Sequence, residues 1–140
     1  MLYVAYGSNI GSEIKNRCPS AKAIGSGYIL GYELNFYYYA DIDINSVSNV
    51  PCVVYDIADE DWDMLDYYEG YPTLYGRHYV DCLVNGEHLK AIVYEMNFNH
   101  KKYSMPSNSY FDRVVAGYME FGLDLKYLKE RLNVCTKEVE

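Results

Sequence analysis

The sequence predicts an α+β fold: a curved, partly closed mixed sheet with helices packed around it, ahead of a flat α/β sandwich. Three observations carry this. Strand-like segments outnumber helical ones. Asn85-Gly86 lies between two apolar runs, the strongest two-residue hairpin signal. Gly27 and Gly31 interrupt an aromatic-rich stretch, as bulges or tight curvature in a strand require.

Taken in order, Leu2 to Tyr6 is a short apolar run and reads as a central strand that stops at Gly7-Ser8-Asn9. A helix is expected over Ile10 to Cys18, ended by Pro19. Strand-like material runs from Gly25 to Tyr39, with Tyr37-Tyr38-Tyr39 reading as both faces of one strand. Asp41 to Asn49 is polar and reads as a turn. Val50 to Ile57 is the next apolar strand, with Pro51 near its start. Asp59 reads as the N-cap of a helix ending at Glu69, with Trp62 and Leu65 spaced to face the core. Arg77 to Val84 and Glu87 to Met96 form the hairpin. Asn97 to Asn108 reads as a polar loop, followed by a helix over Tyr110 to Phe121, opened by Ser107 or Ser109 and closed by Gly122. Asp124 caps a last short helix with Leu125, Leu128 and Leu132 on one face.

At 140 residues the chain is expected to form one domain over 1–140, large enough to bury a core without staples. The net charge of −8, with no basic cluster beyond Lys101-Lys102 and scattered cations near 126–131, argues against nucleic acid and anionic membrane surfaces. No apolar stretch approaches the ~18–20 residues of a membrane helix. Cys18, Cys52, Cys82 and Cys135 show no metal-ligand or redox spacing, and the N-terminus lacks a signal-peptide pattern, so a reduced, cytoplasmic protein is expected. A small molecule is the expected partner; the oligomeric state is left open.

Two stretches carry chemistry. In Leu65-Asp66-Tyr67-Tyr68-Glu69-Gly70-Tyr71-Pro72, Gly70 reads as the left-handed cap and Pro72 as the stop. Glu69 is then the last helical side chain, at the end that carries partial negative charge. That field, with burial, would raise its pKa toward the range of a general base. A solvated glutamate at a helix end is the plainer alternative. The second stretch, Tyr6-Gly7-Ser8-Asn9, joins a strand to a helix. Gly7 permits close backbone approach, and the first turn offers unpaired amides suited to an anion. Ser8 or Asn9 also serves equally as an ordinary N-cap.

These stretches, with Arg17-Cys18-Pro19-Ser20-Ala21 between them, resemble the γ-glutamylcyclotransferase-like family. The likeness extends to Tyr75 and to Pro106, Tyr110 and Gly117-Tyr118-Met119-Glu120-Phe121-Gly122-Leu123, in order along nearly the whole chain. It implies a small mixed, mostly antiparallel β-barrel with flanking helices and a pocket at its mouth. It also implies cleavage of a γ-glutamyl amide by the substrate's own α-amine, which releases 5-oxoproline and an amine. Glu69 would be the general acid/base. Tyr6, Gly7, Ser8 and Asn9 would bind substrate, as would Tyr75 and Tyr110 through their hydroxyls, with no metal and no cofactor. Which amine leaves is not fixed; that choice is expected in the segments 41–49 and 97–108.

Two other classes remain as alternatives: a non-catalytic small-ligand or partner-binding module on the same fold, and a hydrolase with Ser8 as nucleophile. The second lacks the outer glycines of a nucleophile elbow and a placed histidine. Arg77 reads as a solvent-facing strand residue, with pairing to Glu69 or Asp66 as the alternative. His78, His88 and His100 are given no role. Asp59-Glu60-Asp61 and Asp63 read as an acidic first helical turn facing water.

Overall fold

The computed structural model describes residues 1–97 and 101–140, so His100 and part of the expected 97–108 loop lie outside the described residues. Five strands close into a barrel: β1 (Leu2–Ala5), β2 (Lys22–Tyr37), β3 (Tyr39–Asp56), β4 (Tyr75–Val84) and β5 (Glu87–Met96). They lie in the order β1-β3-β2-β4-β5. Among the described residues these strands pair antiparallel except at the seam, where β1 meets β5 in parallel at Tyr3 and Ile92. Closure removes the sheet edges that an open sheet would expose. Of the two expected irregularities, Gly31 is one: the β2–β3 register shifts there and Gly31 has φ 80°. Gly27 stays in register with Cys52 and Val84, but a Cβ there would run into the Leu83 carbonyl, so glycine lets β2 and β4 pair this closely. The β4–β5 hairpin turns at Asn85-Gly86, both with positive φ, as a tight two-residue turn demands.

The helices α1 (Ile14–Arg17), α2 (Asp59–Glu69), α3 (Asn108–Phe121) and α4 (Leu125–Val139) flank the barrel. Trp62 and Leu65 anchor α2 in the core; full burial of a leucine contributes roughly 1.5–3 kcal/mol over leaving it exposed. Ser107 caps α3 by accepting from the Tyr110 amide at 3.2 Å. Asp124 caps α4, which buries Leu128 and Cys135 and, at 15 residues, is longer than the short helix expected.

Several expectations are corrected. The helix expected over Ile10 to Cys18 is a 3-10 turn, Ser8–Ile10, then α1, separated by an extended Gly11. Gly11 stays extended because it packs against α3: a Cβ on Gly11 would lie 3.4 Å from the Gly117 Cα, and one on Gly117 would lie 2.9 Å from Ile10. Tyr37-Tyr38-Tyr39 is not one strand but the β2–β3 reversal, with Tyr38 at φ 70°. The segment Asp41 to Asn49 is strand, not turn, because Lys101 neutralises Asp41 and Asp43. Its irregularity is confined to residues 45–48, opposite Gly31. The N-cap of α2 is Ala58, with no side-chain cap, and Asp59 is the first helical residue. Asp61 does not simply face water: its carboxylate accepts from the amide and hydroxyl of Ser20. Strand β4 begins at Tyr75, two residues before the expected start, and Arg77 pairs with Asp66 rather than facing solvent.

Candidate active site

A cavity of about 320 Å³ opens at one end of the barrel, and every site residue singled out in the sequence lines it: Tyr6, Gly7, Ser8, Asn9, Glu69, Tyr75 and Tyr110. Three pieces of local chemistry bring them together.

The first is the end of α2. Gly70 adopts the left-handed conformation at φ 71° and donates its amide to Tyr67, while the Tyr71 amide bonds Asp66. Helical spacing puts Asp66 and Glu69 on one face, three residues apart, and their fates diverge. Arg77 Nη1 donates to both oxygens of Asp66 at 2.9 Å, and the Tyr94 hydroxyl donates to Oδ1 at 2.5 Å. Asp66 thereby ties α2 to β4 and β5 and fixes the helix end. Glu69 has no ion pair within 4 Å among the described residues and opens into the cavity. Burial pushes its pKa up to about 7, and the positive charge of Arg17 draws it back only in part.

The second piece is the β1–α1 junction. The Ser8 and Asn9 amides begin the 3-10 turn, where no turn carbonyl precedes them to accept. The turn is held from behind: Tyr55 donates its hydroxyl to the Ile10 carbonyl at 2.6 Å, and α3 packs against Ile10 through Gly117. The Asn9 side chain is already engaged, donating to the Tyr3 hydroxyl at 3.1 Å and accepting from Arg17 at 3.0 Å. Asn9 therefore offers its backbone, not its side chain. Space is tight at Gly7: a Cβ there would stand 3.1 Å from the Tyr110 hydroxyl.

The third piece is a tyrosine wall. Tyr6 presents its ring to the cavity but spends its hydroxyl on the Tyr94 carbonyl at 2.7 Å. Tyr110 accepts from the Ala40 amide at 3.1 Å, which leaves its own proton available. The Tyr75 hydroxyl has no hydrogen-bond partner among the described residues. Burial raises the pKa of Tyr75 and Tyr110, and the neighbouring Glu69 carboxylate adds to this, so both hydroxyls stay protonated donors.

The cavity also takes in residues that the sequence reading did not single out as site residues: Tyr3, Val4, Tyr39, Ala40, Tyr68, Leu74, Tyr94 and Arg113. Among 18 tyrosines no sequence signal separates Tyr3 and Tyr94 from the rest. Arg17, of the Arg17-Cys18-Pro19-Ser20-Ala21 stretch, lies just behind the lining. Its guanidinium lies 3.5 Å from the Tyr68 ring and holds Asn9, so it supports the cavity wall from behind. No cluster of three His, Cys, Asp or Glu side chains suited to a metal ion occurs among the described residues. None of their helices is long and apolar enough to cross a membrane.

The architecture has close counterparts. A solved structure named gamma-glutamyl cyclotransferase matches with a TM-score of 0.83 at 25% identity, covering 94% of this chain and 85% of that one. An uncharacterized protein from Homo sapiens matches at 0.82 and 26%, covering 93% and 85%. YkqA from Bacillus subtilis, at 20% identity, shares the fold with a TM-score of 0.80, covering 95% of this chain and 54% of that one. A search of curated proteins gives no match. The family model described as gamma-glutamyl cyclotransferase, AIG2-like, matches residues 3–112, a span that takes in the whole cavity lining except Arg113; the chain belongs to that family.

Proposed function

We propose that the protein is a γ-glutamylcyclotransferase that opens a γ-glutamyl amide by internal attack, with Glu69 as general acid/base and residues 1–140 acting as one domain. The observation that carries this is the state of Glu69: a carboxylate raised to about 7, without an ion-paired cation, in the same cavity as Ser8 and Asn9, whose amides open the 3-10 turn. A base with a pKa near the working pH combines availability with proton-transfer drive.

The chemistry balances without an enzyme nucleophile. The substrate ammonium gives one proton to Glu69, and the resulting amine attacks the γ-carbonyl carbon. The ring N–C bond forms, the amide C–N bond breaks, and Glu69 returns its proton to the departing nitrogen. A second proton, shed as the ring nitrogen becomes an amide, ends on the released amine. Because both reacting groups belong to one molecule, holding it folded supplies much of the rate. The Ser8 and Asn9 amides suit the α-carboxylate or the developing oxyanion, where one donor is worth about 2.7–4 kcal/mol. The Tyr75 and Tyr110 hydroxyls suit the remaining oxygens. No histidine lines the cavity among the described residues, which disfavours Ser8 as a hydrolytic nucleophile. Four free, buried thiols fit a reducing, cytoplasmic setting.

The test is 5-oxoproline release from a panel of γ-glutamyl amides. Glu69→Gln is expected to lose about 10²–10⁴-fold in kcat while still binding substrate. The wild-type kcat/KM is expected to rise through an apparent pKa near 7. Silence of the folded wild type across the panel would support the binding-module reading instead.

A further inference from the structure

The cavity has a buried floor and an exposed rim of distinct chemistry. Tyr3, Val4, Tyr6, Asn9 and Tyr94 are buried, whereas Tyr39, Tyr68 and Leu74 are 47–52% exposed. The rim also holds Arg113, whose side chain is 45% exposed. Resting on the cyclotransferase reading, the γ-glutamyl group takes the floor beside Glu69, and the amine that must depart lies at the rim. Two rim groups neighbour one ring: Tyr39 packs edge-on to Tyr110 with centroids 5.1 Å apart, and the Arg113 guanidinium lies 5.9 Å from the centroid of the same ring. Arg113 Nε faces Glu13 at 3.3 Å, and its terminal nitrogens have no hydrogen-bond partner among the described residues.

We infer that the leaving amine is an α-amino acid with a large apolar side chain, its carboxylate read by Arg113 and its side chain by Tyr39 and Leu74. An α-amino acid carries both groups on the carbon bonded to the departing nitrogen, so both stay close to the scissile bond, as the Tyr39 ring at 5.1 Å and the Arg113 guanidinium at 5.9 Å stay close to the Tyr110 ring. A simple alkylamine has no carboxylate for Arg113. A lysine linked through its ε-nitrogen carries its carboxylate at the far end of its chain. A planar guanidinium with free terminal donors suits a carboxylate.

The test compares kcat/KM for γ-glutamyl-phenylalanine, γ-glutamyl-alanine, γ-glutamyl-phenethylamine and γ-glutamyl-ε-lysine. In the wild type, loss of the carboxylate (phenylalanine against phenethylamine) should cost roughly tenfold or more. Loss of the phenyl group (phenylalanine against alanine) should cost roughly tenfold. In Arg113→Met the first ratio should collapse toward one while the second persists, with Arg113→Lys keeping part of the first. In Leu74→Ala the second should shrink while the first persists. Equal turnover of phenylalanine and phenethylamine conjugates, a ratio that survives Arg113→Met, or turnover of the ε-lysine conjugate alone would overturn this inference and leave the cyclotransferase reading standing. Absence of 5-oxoproline from every substrate would overturn both.

Discussion

Glu69 and Asp41 are both carboxylates drawn away from water near the same wall of the barrel, and they are treated in opposite ways. Asp41 is fully buried, but Lys101 pairs with Oδ2 at 2.6 Å and the Met96 amide donates to Oδ1 at 3.2 Å. Burial raises its pKa, and these partners draw it back in part. Next to it, burial alone would raise Asp43, but Lys101, Tyr37 and Asn35 bring it below the ordinary value. Burial of the Glu69 carboxylate pushes its pKa up to about 7, because no hydrogen-bonded cation offsets it there. Burial pushes all three carboxylates the same way, and their partners separate them. The barrel neutralises the acid it uses as structure and leaves open the one placed for proton transfer.

The largest expected effect comes from removing the partner. Lys101→Met strands Asp41 in the interior, and breaking such a pair costs about 3–5 kcal/mol. Urea unfolding should show this loss, and adding Asp41→Asn should recover most of it. The wild-type pH midpoint near 7 should persist in whatever activity survives. A midpoint that moved with Lys101 would mean that the two carboxylates share one field, and the contrast would fail.

The second effect lies in stability against pH. The folded pKa of Glu69 is raised from 4.5 to about 7. The folded protein therefore holds a proton that the unfolded chain releases. The contribution favours folding in full below pH 4.5 and is lost as pH rises to about 7. The loss corresponds to roughly 3 kcal/mol at most, less because water reaches the carboxylate. Glu69→Gln should match the wild type at pH 4.5 and exceed it in stability at pH 8, in the same variant that loses turnover. Parallel stability curves across that range would mean that Glu69 is not held out of water.

The parts of the fold written in local chemistry were legible. Gly70 ends α2, Asn85-Gly86 turns a hairpin and Ser107 caps α3 because each effect acts within a few residues. What failed depended on distant partners. Asp41 to Asn49 looked like a turn because its charges are answered by Lys101, which contacts Asp43 across 58 positions of sequence. The helix expected from Ile10 is broken because Gly11 must meet Gly117 on α3. Arg77 looked solvated because its Asp66 partner sits on another element. The cavity residues followed the same division. Glu69 and Gly7 were marked by a helix end and a strand-to-helix junction. Tyr6 belongs to the cavity, but its hydroxyl turns to the Tyr94 carbonyl, a detail set by barrel closure. Tyr3 and Arg113 left no trace, since strand and helix periodicity show which face is inward but not which end of a barrel stays open.

The smallest expected effect sharpens the contrast from the side of space rather than charge. A Cβ at Gly7 would stand 3.1 Å from the Tyr110 hydroxyl and 3.6 Å from Ala40, close enough to push the hydroxyl by a few tenths of an ångström. The Ala40 amide holds that hydroxyl, so the strain passes to one hydrogen bond and not to the core. Gly7→Ala should therefore cost about 1 kcal/mol or less in stability and raise KM for γ-glutamyl amides several-fold, leaving the pH midpoint near 7. Tyr110→Phe in the same background removes the obstructing oxygen and should restore the lost room, though not the hydrogen bond. If KM stays fixed in Gly7→Ala, the substrate does not pass the Gly7 face. The amides of the following turn would then be structural, and Glu69 would have to find its substrate against the tyrosine wall instead.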